Sequence, residues 1–172
     1  MITKLIVGLG NIGKDYEGTR HNIGFAFLDF LEGKLDTKKF MPLKPTTFVN
    51  KSGEDVKKAK NKYKIKAENI IIVHDDLDIE FGNVKLSFAK DSGGHRGVQS
   101  IIDHLKTNKF WRLRLGTANR KLKVARHQKN LKAKKEAVGD FVLSKFTPNE
   151  REKLKQIFKQ AFEKLCSNIS MR

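Results

Sequence analysis

The chain holds a single cysteine, Cys166, among its 172 residues. An intrachain disulfide is therefore impossible and no cysteine-based metal cage can be assembled, which fits a reducing compartment. The sequence also lacks an apolar run long enough to cross a bilayer. It opens M-I-T-K and passes into a strand-like run without a charged-then-apolar leader. These absences predict a soluble, cytoplasmic protein with no membrane partner. No internal repeat and no linker divides the chain, so one domain with a substantial core is expected over residues 1–172. Acids are scarce: 19 Asp and Glu stand against 36 Lys and Arg, a formal charge of +17. The excess is uneven, with twelve Lys and Arg and no acid from 104 to 135, and six with no acid from 57 to 66. Two such runs point to a polyanionic partner, a nucleic acid, because phosphates attract such surfaces whatever their sequence.

What is present reads as alternating strands and helices. Leu5, Ile6, Val7 and Leu9 form a short apolar strand interrupted by Gly8, Gly10 and Gly13. Ile23, Phe27, Leu28, Leu31 and Leu35 follow at helical spacing over Asn22 to Leu35, with Gly24 placed for close approach to a strand. Phe40 to Pro45 reads as one extended segment that Pro42 and Pro45 confine to a sheet edge. Ser52 with Asp55 three residues on predicts a capped helix to about Tyr63. The run Asn69 to Val73 is apolar throughout and predicts a central strand covered on both faces, ending in a loop His74-Asp75-Asp76-Leu77-Asp78. Val84 to Phe88 and Trp111 to Gly116 alternate as strands, the second with Arg112 and Arg114 on one face. Residues 119–135 are poor in apolar side chains and rich in Lys, which predicts a mobile loop. Thr147-Pro148-Asn149-Glu150 is a capping box that opens a C-terminal amphipathic helix through Leu154, Ile157, Phe158, Ala161, Phe162 and Leu165.

The ends of these strands collect the groups suited to chemistry: Asn11, His21, Asn50, Asp75 and a glycine-rich loop with His95 and Arg96. Such a set fits hydrolysis of an activated carbonyl. A neutral imidazole takes a proton from water, a carboxylate on its other nitrogen fixes the tautomer, and amides steer the water or the developing oxyanion. Two other readings are weaker. Gly8-x-Gly10-x-x-Gly13 spells a dinucleotide fingerprint, but Gly13 leads into K-D-Y-E-G-T with no apolar helical stripe, and Asp29 and Glu32 fall inside a helix pattern. His74, Asp75, Asp76 and Asp78 are possible ligands for a divalent ion, but no second His/Glu pair at helical spacing supports them. Neither a cofactor nor a metal is expected.

The segments G-L-G-N-I-G-x-x-Y-x-x-T-R-H-N-I-G-F, K-P-T-T-F-V-N-K-S-G, V-H-D-D-L-D and G-G-H-R-G-V-Q-S-I-I, then F-W-R-L-R-L-G and D-F-V-L-S-K-F-T, occur here in this order. Together they resemble the bacterial-type peptidyl-tRNA hydrolases. The resemblance implies an α/β fold with a mixed, twisted central sheet flanked by helices. It also implies hydrolysis of the ester between a peptide and the 3′ ribose of tRNA, without a metal, by a monomer. By motif position His21 is the general base and Asp75 its partner, while Asn11, Tyr16 and Asn50 position water and substrate. The basic residues Lys106, Arg112, Arg114, Lys121, Lys123 and Arg126 are expected to meet the tRNA. Three departures stand out: Arg96 where the family commonly has asparagine, Ile12 in place of a proline, and a 35–45 connection shortened by what looks like a hairpin strand. With Arg96 filling the substrate-positioning place, they leave a noncatalytic RNA-binding relative as the alternative.

Overall fold

The computed structural model describes residues 1 and 3–169. Strands and helices follow one another as β1 (Lys4–Gly8), α1 (Ile23–Leu31), β2 (Phe40–Leu43), α2 (Ser52–Lys62), β3 (Ile70–Glu80), β4 (Val84–Phe88), α3 (Arg96–Leu105), β5 (Trp111–Ala118), α4 (Arg120–Arg126), α5 (Leu131–Leu143) and α6 (Pro148–Ile169). The sheet runs β2-β1-β3-β5-β4. Its first four strands are parallel and β4 is antiparallel to β5, the mixed sheet that was expected.

Strand alternation sends β3 into two cores. Ile71 and Val73 face α1 and α6 with Phe27, Phe158 and Leu165, while Ile70 and Ile72 face α2 and α3 with Val56, Val98 and Ile101. Each of these buried strand side chains contributes at most about 1.5–3 kcal/mol, so the apolar run at 70–73 dominates the centre of the molecule. Gly24 does what its place implied. A Cβ there would lie 2.5 Å from the Leu9 nitrogen and the Val73 carbonyl oxygen, so α1 rests directly on the backbone of β1 and β3. The 35–45 connection supplies one edge strand, β2, paired only with β1, with Pro42 opposite Ile6.

The capping box of α6 is present in both halves, Thr147 N donating to Glu150 Oε2 at 2.8 Å and Glu150 N to Thr147 Oγ1 at 3.2 Å. Four expectations are corrected. First, Ser52 does not cap α2. Its hydroxyl donates to the Val49 carbonyl at 2.8 Å, and Asp55 accepts from Thr46 N at 2.7 Å, because a 3₁₀ turn at Val49–Lys51 already feeds the helix. Second, α1 is shorter than Asn22 to Leu35, since the Asn22 side chain bonds the first loop instead and Gly33 at φ +72° ends the segment. Third, His74 to Asp78 is strand and not loop, held by β5 through the pairs His74–Arg114, Asp75–Leu115 and Asp76–Gly116. Fourth, the 119–135 stretch is no mobile loop but α4 and the start of α5. Asn119 accepts from Lys121 N and Leu122 N, Asn130 accepts from Ala133 N, and Leu122 and Ala125 are buried. Two asparagine caps and two apolar contacts hold helices whose sequence lacks a stripe.

Candidate active site

β1 stops pairing with β3 at Gly8–Val73, whereas β3 continues beside β5 for several residues. The chain leaves β1 for β2 on one side and leaves β3 for β4 and β5 on the other. A crevice therefore opens between the C-terminal ends of β1 and β3, the switch point where open α/β sheets hold their ligands. Asn11 comes from the loop after β1, His21 from the 3₁₀ turn Arg20–Asn22, and Asp75 from the overhanging part of β3.

His21 Nδ1 lies 2.9 Å and 3.0 Å from the two carboxylate oxygens of Asp75, across 54 residues of sequence. Asp75 is only 2% exposed, and its Oδ1 is also met at 2.8 Å by His95 Nε2. His95 caps α3, its Nδ1 accepting from Val98 N at 3.4 Å, so its proton sits on Nε2 and points at Asp75. Both imidazoles donate to one carboxylate, which leaves His21 Nε2 with a lone pair and no hydrogen-bond partner among the described residues. Burial pushes the His21 pKa down, but the charge and hydrogen bond of Asp75 outweigh it; with Arg96 opposing, the net shift is upward. Burial likewise pushes Asp75 up, yet the charges and hydrogen bonds of His21 and His95 hold it far below the usual carboxylate range. The ligand atoms of His21, Asp75 and His95 lie within 4.8 Å of one another. Two imidazoles and a carboxylate are a donor set that zinc accepts.

Asn11 is buried and its amide is oriented by the fold. Oδ1 accepts from Val49 N at 2.8 Å, so the NH₂ group is the part left to donate. Its backbone is clamped by Asn22, which accepts from Asn11 N and donates to Asn11 O, both at 2.9 Å. This joins the first loop, the His21 turn and the Val49–Lys51 turn that carries Asn50, whose side chain is exposed. Tyr16 stands edge-on to Phe48 with ring centroids 5.9 Å apart. Arg96 is exposed at the first turn of α3, next to His95.

The metal reading of residues 74–78 does not converge. His74 Nδ1 donates to the Asp75 carbonyl oxygen at 2.7 Å, Asp76 is paired with Arg114 at 2.7 Å, and Asp78 with Arg126 at 2.9 Å. His74 is fully buried, and burial followed by the nearby charge of His95 drives its pKa well down, so it stays neutral. The expected tRNA-contacting residues divide. Lys121 and Lys123 are exposed on α4, and Arg126 is exposed but paired with Asp78. Arg114 is held by Asp76 and Ser87, while Arg112 is buried with one bond at 3.4 Å to the Ser92 carbonyl. Lys106 is exposed in left-handed conformation at the far end of α3 from His95.

Three participants were not assigned a place by sequence reasoning: Asn22, the His95 bond to Asp75, and Arg20. The Arg20 guanidinium, 1% exposed, donates to Ser144 Oγ and Lys145 O at 2.7 Å and to Glu150 Oε2 at 2.6 Å, between the rings of Phe141 and Phe146. Glu150 Oε1 accepts from Asn119 at 2.9 Å. The residue before His21 is thus bolted to the start of α6 and, through Asn119, to α4. The polar neighbours of His21 in T-R-H-N were the only sequence signal for Arg20 and Asn22.

This architecture is shared with solved structures. Peptidyl-tRNA hydrolase from Acinetobacter baumannii superposes with a TM-score of 0.77 at 31% identity, covering 98% of this chain and 91% of that one. A peptidyl-tRNA hydrolase solved with N-propanol gives 0.75 at 33% identity, covering 91% and 83%. A [NiFe] hydrogenase maturation protease from Thermococcus kodakarensis, 11% identical with a TM-score of 0.53, shares the fold alone. Among sequences, the peptidyl-tRNA hydrolase of Aquifex aeolicus is 38% identical over 99% of this chain and 92% of its own length. That of Clostridium botulinum is 37% identical over 96% and 89%. The family model described as peptidyl-tRNA hydrolase matches residues 5–171. On fold, sequence and the crevice between β1 and β3, the chain belongs to the peptidyl-tRNA hydrolase family.

Proposed function

We propose that this chain hydrolyses the ester linking a peptide to the 3′ ribose oxygen of tRNA, with His21 as general base. The observation that carries the reading is the His21–Asp75 pair at 2.9 Å, set at the switch point with Nε2 of His21 unpartnered among the described residues. Neutral His21 takes a proton from water on Nε2 while Asp75 holds Nδ1–H and stabilises the imidazolium. The water oxygen bonds the ester carbonyl carbon, and the oxyanion that forms receives hydrogen bonds from the NH₂ groups of Asn11 and Asn50. The C–O bond to the ribose then breaks, His21 returns the proton to the departing oxygen, and a peptide acid and free tRNA result. His95 keeps the Asp75 carboxylate ionised and aimed, Tyr16 lines the entry, and Lys121, Lys123 and Arg126 on α4 lie along the tRNA backbone.

Steady-state cleavage of peptidyl-tRNA by wild type and His21→Ala tests the assignment. The variant is expected to lose about 10²–10⁴-fold in turnover. Equal and negligible rates would instead support the RNA-binding relative without catalysis. The protein is read as a cytoplasmic monomer, for which sedimentation at micromolar concentration should return about the chain mass of 19.7 kDa; among the described residues no helix is long and apolar enough to cross a membrane.

A further inference from the structure

The lysines between 57 and 66 take no part in the site above, and the way α2 is seated fixes where they point. The helix docks on α3 through Ser52, Gly53 and Val56. A Cβ on Gly53 would lie 2.2 Å from the Ser100 carbonyl oxygen, and Gly53 N donates to Ser100 Oγ at 3.0 Å. Backbone rests on backbone, so the opposite face is held rigidly outward. Lys58 and Lys62 are exposed on that face and Lys57 on its flank, and Lys64 and Lys66 are exposed just beyond its end. The acids of this helix, Glu54 and Asp55, sit in its first turn. Asp55 already accepts from Thr46 and comes no closer than 3.9 Å to Lys58. Among the described residues no ion pair holds Lys57, Lys62, Lys64 or Lys66; Lys62 stands over its neighbour's ring, Tyr63, at 5.3 Å.

Helix stability does not account for this cluster. Cations in the last turn complement the helix dipole by about 0.3–1 kcal/mol each, which covers Lys60 and Lys62. Glu54 at i−3 and i−4 supports Lys57 and Lys58 by a few tenths of a kcal/mol, about what the like charges Lys58 and Lys62 at i,i+4 cost, and Lys64 and Lys66 lie outside the helix. A row of cations whose number exceeds what the helix itself gains from is suited to a partner of opposite charge. An anionic membrane is the poorer match, because interfacial helices bury apolar residues in the bilayer beside their basic ones. The apolar residues Val56 and Ala59 of α2, with Tyr63 just after it, pack against the protein core.

We propose that the lysine face of α2 is a second docking surface for the phosphate backbone of the tRNA body, apart from the acceptor end that enters the crevice. The proposal rests on the hydrolase reading above. It is continuous with the site, since α2 begins two residues after Asn50. At a rise of 1.5 Å per residue, Lys58 and Lys62 stand about 9 Å and about 15 Å along the helix from that end. α2 packs with α3 on the sheet face that carries Leu5, Val7, Ile70 and Ile72, whereas α4 follows β5, so the two basic helices attach to different parts of the sheet.

The test is a triple variant of the full chain, Lys57→Glu with Lys58→Glu and Lys62→Glu, beside the charge-preserving triple Lys→Arg change. Hydrolysis is measured on full peptidyl-tRNA and on the same peptide carried by a short 3′-terminal oligonucleotide. The Glu variant is expected to raise KM for full peptidyl-tRNA about tenfold or more at 0.1 M salt with kcat within about twofold, and to lower the salt slope of log KM by about 2–3. The Arg variant should match wild type, and KM for the short substrate should not move. An unchanged KM and slope on full tRNA overturn the proposal, as does an equal rise on the short substrate or an effect confined to binding of phosphatidylserine vesicles. Failure of the hydrolase reading shows separately, as no cleavage of either substrate by wild type. Filter binding of uncharged tRNA then still decides whether the lysines hold RNA.

Discussion

Asp75→Asn isolates the contribution of the buried carboxylate while keeping its shape. In the wild type both oxygens of Asp75 accept, from His21 at 2.9 Å and 3.0 Å and from His95 at 2.8 Å. An asparagine offers one oxygen and one NH₂. His95 cannot change tautomer without losing its bond from Val98 N, so it retains the oxygen at the Oδ1 position. The NH₂ then replaces Oδ2 at 3.0 Å from His21 Nδ1 and repels an N–H there, which favours Nδ1 as acceptor and the His21 proton on Nε2. The base is turned with its lone pair inward, and the imidazolium that forms in the reaction loses its counter-charge. A triad aspartate changed to asparagine in a serine protease lowers kcat on the order of 10⁴-fold, and a loss of that order, about 5 kcal/mol, is expected here. The pH profile should move as well. With Asp75 the His21 pKa is raised, so activity appears as pH climbs through a value above the ordinary 6.5 of histidine; without the charge, burial and Arg96 remain and the acid limb shifts to lower pH. The assay is kcat and KM for peptidyl-tRNA cleavage between pH 5 and 9. A variant within about tenfold of wild type, with its acid limb unmoved, would refute the assignment of Asp75 as the partner of the base.

Three further outcomes follow from the same geometry. Arg96 lowers the His21 pKa through its charge, so Arg96→Ala should move the acid limb of the rate profile to higher pH; an unmoved limb would remove Arg96 from the electrostatics of the site. Arg20→Met takes the donor from Ser144 and Lys145 while Glu150 keeps Thr147 N and Asn119, so urea unfolding at pH 7 should show a loss of about 1–3 kcal/mol, with less than about 0.5 kcal/mol contradicting the anchoring role. His74 is neutral when folded and protonates near pH 6.5 when unfolded, so the unfolded chain binds the extra proton and stability falls with pH below 6.5, approaching about 1.4 kcal/mol per unit. His74→Phe should remove that component from the pH dependence of urea stability, and equal slopes in the two proteins would exclude it.

Local signals in the sequence led to the parts of the fold that local signals control. The apolar run at 70–73, the period-two alternation at 111–116 and the Thr147–Glu150 reciprocal cap each lie within a few residues, and each formed the expected element. The polar half of β3 was unreadable because His74, Asp75 and Asp76 owe their strand conformation to pairing with β5, 40 residues downstream. α4 and the start of α5 were unreadable because asparagine caps hold them more than any apolar stripe. At the site, His21 and Asp75 stood out as a base and an acid at element ends, and resemblance assigned them as partners. The contact of His95 with the same carboxylate spans 20 residues and that of Arg20 with Glu150 spans 130, and neither leaves a trace in spacing. The same holds for Arg112, whose charge suggested a surface and whose position in the middle of the sheet buried it.

The stitching of Gly18, Thr19 and Arg20 to residues 144–150 sets the order in which the molecule can become competent. A nascent chain with residues 141–150 still inside the ribosome lacks Ser144, Lys145 and Glu150, the hydrogen-bond partners of the Arg20 guanidinium, and the turn presenting His21 misses that brace. Such an unfinished chain is itself a peptide esterified to tRNA. The dependence of an N-terminal turn on residues 144–150 therefore delays activity until that segment has left the ribosome, which keeps the growing chain from cutting the bond that holds it.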